Sequence, residues 1–380
     1  MTIAIMIVTC ALFLCIPLSN ELYRKYSAFI LILLSAGYFF YTPPSQDDLY
    51  RHYLMLDDIR NYGLNFFDTS NHYWDENPAY VVLLTLISTF QINAFLPFVV
   101  GVIYYLSSLY GIYIISFDKK NKSREIIATI LLILLTNYIS ISGIRNMLGC
   151  AIFLIGMYLD MIQHRRLGFV LYVFAAFIHS SIFIYIIIRG LVFLYRGKQK
   201  ILVILVAFAI PSVLTSSSDM LANVFSGIPL LEGVVSRFQI YAVDDKGMEI
   251  SNNWRLVTLF DYIAVFLMAY TYEKVNTFNE KYTDVFHFLA LIIITAIGFF
   301  NQRELFSRHT MLLIPIGIMY FVLLKNTTFL RFPFLVRVNP KSFFSAMSPF
   351  LCFYFVAWCI VKFLILVFFY YSMADGNFPF

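Results

Sequence analysis

Gly143-Ile144-Arg145-Asn146 stands directly before a long apolar stretch, Met147 to Met161, near the middle of the chain. Arg145 thus places a permanent positive charge at the start of a hydrophobic helix. His179 interrupts a second apolar stretch, Leu167 to Tyr195. Charged or titratable groups in such positions are costly in a membrane, and they therefore mark a candidate functional site. The alternative is that Arg145 extends to the lipid headgroups and that His179 is a hydrogen-bonded core residue.

The composition is that of a polytopic membrane protein. Hydrophobic residues make up 61% of the 380 residues and charged residues only 13%. Apolar stretches of about 20 residues, long enough to cross a bilayer, recur along the whole chain. We therefore expect an all-α integral membrane protein, with residues 1–380 in a single transmembrane domain of about twelve passes that include re-entrant or broken helices. No soluble domain fits between the spans, so the net charge of +5 does not indicate nucleic-acid binding.

Two segments have lengths that do not suit simple crossings. Tyr80–Ile92 is short for a full span, and Leu167–Tyr195 is too long for one straight span. Short loops rich in Lys and Arg stay cytoplasmic. That rule is satisfied along the chain if Tyr80–Ile92 is re-entrant and if Leu167–Tyr195 forms two helical pieces that meet near His179. Both termini then lie outside, together with two acidic loops at residues 43–78 and 215–253.

This topology places several polar side chains on the external face, where the rule for basic loops does not explain them. They are Asp47, Asp48, Arg145, His179, Arg303 and Arg308. The guanidinium group is a planar fork that binds phosphate oxygens with two hydrogen bonds, so several arginines around one cavity suit a diphosphate. A nearby histidine or carboxylate can take a proton from a hydroxyl nucleophile.

The sequence lacks the motifs of enzymes that use soluble activated donors. It contains no P-loop and no dinucleotide-binding fingerprint. The five cysteines lie in apolar stretches without metal-ligand spacing, so we expect no metal and no cofactor. An enzyme on the external face would instead use a lipid-linked donor such as a polyprenyl diphosphate, whose leaving group carries the charge that arginines stabilise.

Four short motifs follow one another along the chain. They are Asp47-Asp48-Leu49-Tyr50-Arg51-His52-Tyr53, Glu76-Asn77-Pro78-Ala79-Tyr80, Gly143-Ile144-Arg145-Asn146 with Ala151-Ile152-Phe153, and Phe177-Ile178-His179-Ser180-Ser181. In this order and spacing they resemble the EpsG / Wzy-like family of bacterial polysaccharide polymerases, from Asp47 to about Arg308. One departure is Asn146, where the family usually has Gln, so any hydrogen bond from the shorter side chain has less reach.

The resemblance implies a glycosyltransferase that polymerises O-antigen, capsule or exopolysaccharide repeat units. Such polymerases transfer the growing chain from undecaprenyl diphosphate onto the next lipid-linked repeat unit, on the external, periplasmic face of the bacterial cytoplasmic (inner) membrane. The partners are then undecaprenyl-diphosphate-linked oligosaccharides, as donor and acceptor, and membrane lipid. A chain-length regulator is a further candidate partner, and nucleic acid is not expected.

The candidate site residues take distinct roles on this hypothesis. The donor diphosphate is bound by Arg145, Arg303 and Arg308. His179 is the base or shares the diphosphate, and Asp47 or Asp48 is the alternative base or an anchor for the acceptor. The resemblance adds further candidates for substrate binding, namely Asn146, Tyr50, Arg51 and Glu76.

Other functions stay open on the sequence alone. A transporter or flippase of lipid-linked oligosaccharides also contains broken helices and buried charges, although the chain shows no convincing internal repeat. A polysaccharide ligase would bind the same diphosphate with the same arginines but would transfer the chain once. A membrane acyltransferase would more often need its histidine beside a cytoplasmic acyl-CoA site, whereas His179 maps to the external face.

Overall fold

The structure is a computed structural model that describes residues 28–29, 31–33, 35–40, 42–43, 45, 48–63, 77–116, 143–195, 199–216, 251–275 and 282–326. All regular secondary structure in these ranges is helical, as predicted. A short 3-10 turn at Gly37–Phe40 precedes the α-helices. The α-helices are α1 Asp48–Tyr62, α2 Pro78–Ser88, α3 Phe95–Ser116, α4 Ile144–Met157, α5 Leu167–Ile178, α6 Ile182–Tyr195, α7 Lys200–Ser216, α8 Ser251–Val275, α9 Thr283–Gly298, α10 Arg303–Arg308 and α11 Thr310–Asn326.

Three stretches of helix within these ranges are long and apolar enough to cross a membrane. They are Ile144–Ile162, Arg255–Glu273 and Leu305–Leu324. Shorter apolar helices surround them, which agrees with an all-α membrane protein that contains broken helices. Three apolar stretches that we expect to cross the membrane, residues 3–19, 126–142 and 350–371, lie outside the described residues. The number of passes therefore stays a prediction.

Helix α4 lies at the centre and packs against α3, α5, α6 and α11. It is apolar on nearly all sides, which is the pattern of a helix buried within a bundle. Phe153 is fully buried, and its ring stacks on the rings of Tyr172 from α5 and Phe288 from α9, with centroid distances of 4.4 and 5.7 Å. The core is therefore built around the helix that Arg145 begins.

Two glycines allow α4 and α5 to approach backbone to backbone. A Cβ atom at Gly168 would stand 2.5 Å from the carbonyl oxygen of Gly156 and 2.6 Å from Cβ of Asp160. Small residues permit such close contacts between membrane helices, which then associate through van der Waals packing. Between the two helices, α4 continues as a π-helical turn at Tyr158–Ile162, and this turn carries Asp160.

The chain breaks between α5 and α6 at His179, as the length of this segment predicted. His179 ends α5 in an extended conformation, with φ −151° and ψ 120°. Gly168 lies beside Gly156, whereas Ile182 covers Gly149 at the other end of α4, so α5 runs antiparallel to α4. Arg189 then contacts Asp160, so α6 runs parallel to α4. The two pieces therefore form a hairpin that returns to the side on which it began, with His179 at its turn.

The predicted external loop at residues 43–78 contains a helix, α1, and this is a difference from the prediction. Leu49, His52, Leu56 and Ile59 recur on one face of α1 and are buried, and α1 packs against α2. Helical periodicity of apolar residues thus outweighs the polar character of the segment. Of the second predicted loop, 215–253, residues 217–250 lie outside the described ranges, and α8 begins already at Ser251.

Arg60 joins α1 to the end of α2. Its Nε donates to the carbonyl of Ser88 at 3.1 Å, its Nη2 donates to the carbonyl of Phe90 at 2.8 Å, and its Nη1 pairs with Asp57 at 2.8 Å. A cation at a helix C-terminus satisfies the last carbonyls and the helix dipole. Helix α2 has 11 residues, which corresponds to about 16 Å and is short of a bilayer core of about 30 Å.

A buried ion pair fixes the hairpin on α4 at the end far from His179. Nε of Arg189 lies 2.6 Å from Oδ2 of Asp160, and the Tyr172 hydroxyl donates to the same oxygen at 3.0 Å. Both charged side chains are less than 10% exposed. The guanidinium also stacks over the ring of Phe193 at 4.1 Å. Arg189 is therefore a buried partner of Asp160.

We expect Gly168→Ala to destabilise the protein by about 1–3 kcal/mol, because the added methyl group would meet backbone atoms of α4 that cannot move aside. The matched control is Gly190→Ala in α6, where nothing lies within 4 Å of the new Cβ atom. Thermal unfolding of the two variants in the same detergent would check this, and equal unfolding temperatures would contradict the backbone contact.

We expect Arg189→Met to cost about 3–5 kcal/mol, because it leaves the buried Asp160 carboxylate without its cation. Adding Asp160→Asn to this variant should recover most of the loss, since both charges are then absent. Thermal unfolding of the two single variants and the double variant would measure the coupling. Additive losses would show that the two side chains stabilise the fold independently.

Candidate functional site

Asn146 connects three elements at the start of α4. The Ser181 hydroxyl, from the turn between α5 and α6, donates to Oδ1 of Asn146 at 3.2 Å. Nδ2 of Asn146 donates to Sδ of Met311 in α11 at 3.3 Å. Asn146 is only 3% exposed. The shorter amide that departs from the usual Gln thus makes defined hydrogen bonds, and they hold the His179 turn beside Arg145.

The charges of two arginines from distant parts of the chain reach His179. The charges of Arg145, at the start of α4, and Arg308, at the end of α10, both act on the His179 ring. Arg308 also acts on Cys150 and Tyr185, one and two helical turns deeper in the core. His179 is 7% exposed, and its Nδ1 has no hydrogen-bond partner among the described residues. Two guanidinium groups around one buried imidazole form a positively charged site inside an apolar bundle.

Helix α10 is anchored on both sides of Arg308. The Tyr262 hydroxyl of α8 donates to the carbonyl of Phe306, and the Tyr185 hydroxyl of α6 lies 3.1 Å from Nδ1 of His309. His309 is 3% exposed and stacks on Phe299 with a centroid distance of 6.0 Å. These contacts fix a helix of only six residues, so Arg308 projects from a defined position.

Asp48 and His52 complete the site from the first turn of α1. The charge of Arg145 acts on both residues. Nε2 of His52 lies 3.6 Å from Oδ2 of Asp48, just beyond hydrogen-bond distance, and Arg51 pairs with Oδ1 of the same carboxylate at 3.2 Å. The charges of Asp48, Arg145 and Arg308 all act on His179, so the four residues belong to one charged region, and their roles stay a prediction.

The ionisation states of Asp48 and His52 follow from their surroundings. Burial alone would raise the pKa of the Asp48 carboxyl, but the adjacent His52 and nearby arginine charges outweigh burial and lower this pKa to about 2. Asp48 is therefore a carboxylate at neutral pH. Burial lowers the pKa of His52 against the opposing effect of the carboxylate, so the imidazole is neutral and can accept a proton.

The other predicted residues have different positions. Tyr50 is half-buried in α1, and Arg51 is exposed. Asp47 and Glu76 lie outside the described residues, and only the backbone of Arg303 is described, in the first turn of α10. Within the described ranges no group of three His, Cys, Asp or Glu side chains is arranged to hold a metal ion.

Two buried histidines of this region, His52 and His309, were not predicted to take part. For His52 a signal was available, since it follows Asp48 by four residues, a spacing that puts both side chains on one helix face. The polar residues of this segment predict a loop, however, and a loop has no helical spacing to consider. His309 directly follows Arg308, and no sequence pattern shows that it meets Tyr185, 124 residues earlier.

Comparison with known proteins identifies the family of the chain. The model of the EpsG family matches residues 48–373, from the first residue of α1 to beyond the end of α11. No curated protein and no solved structure matches the chain significantly. The family match includes Asp48, His52, Arg145, His179 and Arg308. Because it covers most of the sequence, the chain belongs to the EpsG family.

Proposed function

We propose that this membrane protein is a polysaccharide repeat-unit polymerase. It would transfer a growing chain from undecaprenyl diphosphate onto the next lipid-linked repeat unit, at the external face of the bacterial cytoplasmic membrane. The observation that carries the proposal is that the charges of Arg145 and Arg308 both act on the buried His179 ring. Membership of the EpsG family supports the broader assignment to polysaccharide biosynthesis.

The chemistry of a diphosphate leaving group suits this site. As the bond between the donor sugar and the diphosphate breaks, negative charge accumulates on the phosphate oxygens. Guanidinium groups fixed in advance bind such charge with charge-assisted hydrogen bonds, and they act more strongly in an apolar bundle than in water. His179 lies within reach of both arginine charges and can donate a ring N–H to the same oxygens. In this role Arg145, Arg308 and His179 bind the donor.

The arrangement also explains why a permanent cation is tolerated at each position. A positive charge within an apolar bundle is stabilised only by an anion or by polar groups. Asp48 supplies one carboxylate, with its side chain 27% exposed. A diphosphate bound by Arg145 and Arg308 would add further negative charge there. The binding energy would thus be concentrated on the part of the donor that becomes the leaving group.

We expect Arg145→Ala to lower the polymerisation rate about a hundredfold or more, because it removes a bidentate pair of charge-assisted bonds of about 1.5–3 kcal/mol each. Arg145→Lys should not restore the rate, since an ammonium group cannot replace the planar fork. The rate would be measured on purified lipid-linked repeat units. The matched control is Arg165→Ala, an exposed arginine at the opposite end of α4. Near-normal polymer from well-expressed Arg145→Ala would contradict the assignment.

We expect His179→Ala to shorten the product to one or a few repeat units, because the donor diphosphate loses a hydrogen-bond partner in the transition state. The size profile of polysaccharide from a deletion strain carrying each variant would measure this. His164→Asn is the control. His164 is exposed between α4 and α5 with φ 56°, a left-handed conformation that Asn tolerates.

The same size profile separates the alternatives. A ladder with the wild-type chain and none in the deletion strain would support a polymerase. A single added unit with the wild-type chain would indicate a ligase. Lipid-linked units that accumulate on the cytoplasmic side of the deletion strain would indicate a transporter. A normal ladder in the deletion strain would refute polymerisation by this chain in that pathway.

A further inference from the structure

Asp48 and His52 form a carboxylate–imidazole pair on one face of α1, at the edge of the arginine site. The two residues are four apart, so their side chains lie one above the other on the helix. Nε2 of His52 faces Oδ2 of Asp48 at 3.6 Å. Both ring nitrogens are buried and have no hydrogen-bond partner among the described residues, and Nδ1 also has no carboxylate beside it in the contacts of this ring. A buried nitrogen without a partner is costly unless a bound molecule completes it.

The ring of His52 is also held in one orientation. It packs edge-on against the ring of Tyr80 from α2, with a centroid distance of 5.3 Å, and the residue is 1% exposed. Because Nε2 is the nitrogen nearest to Asp48, Nδ1 is the nitrogen that remains to take a proton. A carboxylate that orients an imidazole and stabilises its protonated form is the arrangement by which enzymes activate a hydroxyl nucleophile.

We propose that His52 is the catalytic base for the acceptor hydroxyl and that Asp48 is its positioning residue. This inference rests on the proposed polymerase function and identifies the residue that takes the proton. The acceptor oxygen forms a bond to C1 of the donor sugar, while the bond from C1 to the diphosphate oxygen breaks. The bonding electron pair leaves with the diphosphate, and the hydroxyl proton moves to Nδ1 of His52.

The charges around the two histidines favour His52 over His179 as the base. A proton on His179 would face the guanidinium groups of Arg145 and Arg308. A proton on His52 would face the carboxylate of Asp48, although Arg145 from α4 and Arg51 from α1 oppose it more weakly. His179 therefore suits the phosphate oxygens, and His52 suits a group that gains a positive charge during the reaction.

The two sites together separate donor from acceptor. Arg145 contributes to both, because its charge acts on Asp48 and His52 as well as on His179. Arg145 would therefore lie near both the leaving diphosphate and the base. The shielding of His52 from solvent would also keep water from competing with the acceptor hydroxyl.

The experiment measures the dependence of polymerisation rate on pH with purified lipid-linked donor and acceptor. The wild-type rate should rise with pH through an acidic limb as His52 loses its proton, and then reach a plateau. Asp48→Asn should lower the plateau about tenfold or more and move the limb to lower pH, because the imidazolium loses its carboxylate. The matched control is Asp58→Asn, the same change on the same helix, which should leave the limb in place.

A second pair of variants tests the histidines directly. His52→Gln should lower the rate about a hundredfold or more and remove the acidic limb, while binding of undecaprenyl diphosphate stays within twofold. His179→Gln should weaken donor binding and keep the limb. A limb that Asp48→Asn leaves unmoved, or that disappears in His179→Gln, would overturn the assignment. If the wild-type chain makes no ladder in this assay, the polymerase function itself fails, which is a separate result.

Discussion

The backbone contact between Gly156 and Gly168 determines where the site forms. Eleven residues lead from Gly168 to His179, and eleven lead back from Gly156 to Arg145. Because α4 and α5 are antiparallel and both rise by about 1.5 Å per residue, both segments advance by the same length from the contact. His179 and Arg145 therefore end level with each other. A single close crossing of two helices thus sets the register of residues that the sequence keeps 34 positions apart.

The two ends of α4 differ in how their charged side chains are paired. At the end near the π-helical turn, Asp160 and Arg189 neutralise each other at 2.6 Å, and Tyr172 completes the carboxylate. This buried ion pair holds the hairpin on the core. At the other end, Arg145 lies beside imidazole rings and the carboxylate of Asp48, so the charge is shared among several groups. A buried ion pair whose charges neutralise each other is suited to a structural role. A site with excess positive charge is suited to binding an anionic ligand.

The main features of the fold could be predicted from the sequence because they depend on length and hydrophobicity. The break at His179 followed from a segment too long for one span, whereas the placement of Asp48, Arg145 and Arg308 on the external face stays a prediction. Helix α1 was not predicted, because the many polar residues of its segment indicate a loop although its apolar residues recur at helical spacing. The bridge from Asn146 to Met311 could not be predicted, since it joins residues 165 positions apart through a thioether.

The placement of the acid–base pair on α1 has a structural reason. The groups proposed to bind the donor lie on α4, on the hairpin turn and on α10, all of which are held by the core. Helix α1 is instead amphipathic, packs on α2 and is fastened there by Arg60, which binds the carbonyls of Ser88 and Phe90. This clamp fixes α1 on α2, and α2 in turn packs against α3 and α5. The proposed polymerase must accommodate a growing donor and a short acceptor at one carbon atom. Placing the proposed leaving-group site and the proposed base on different helices would allow each to fit its own substrate.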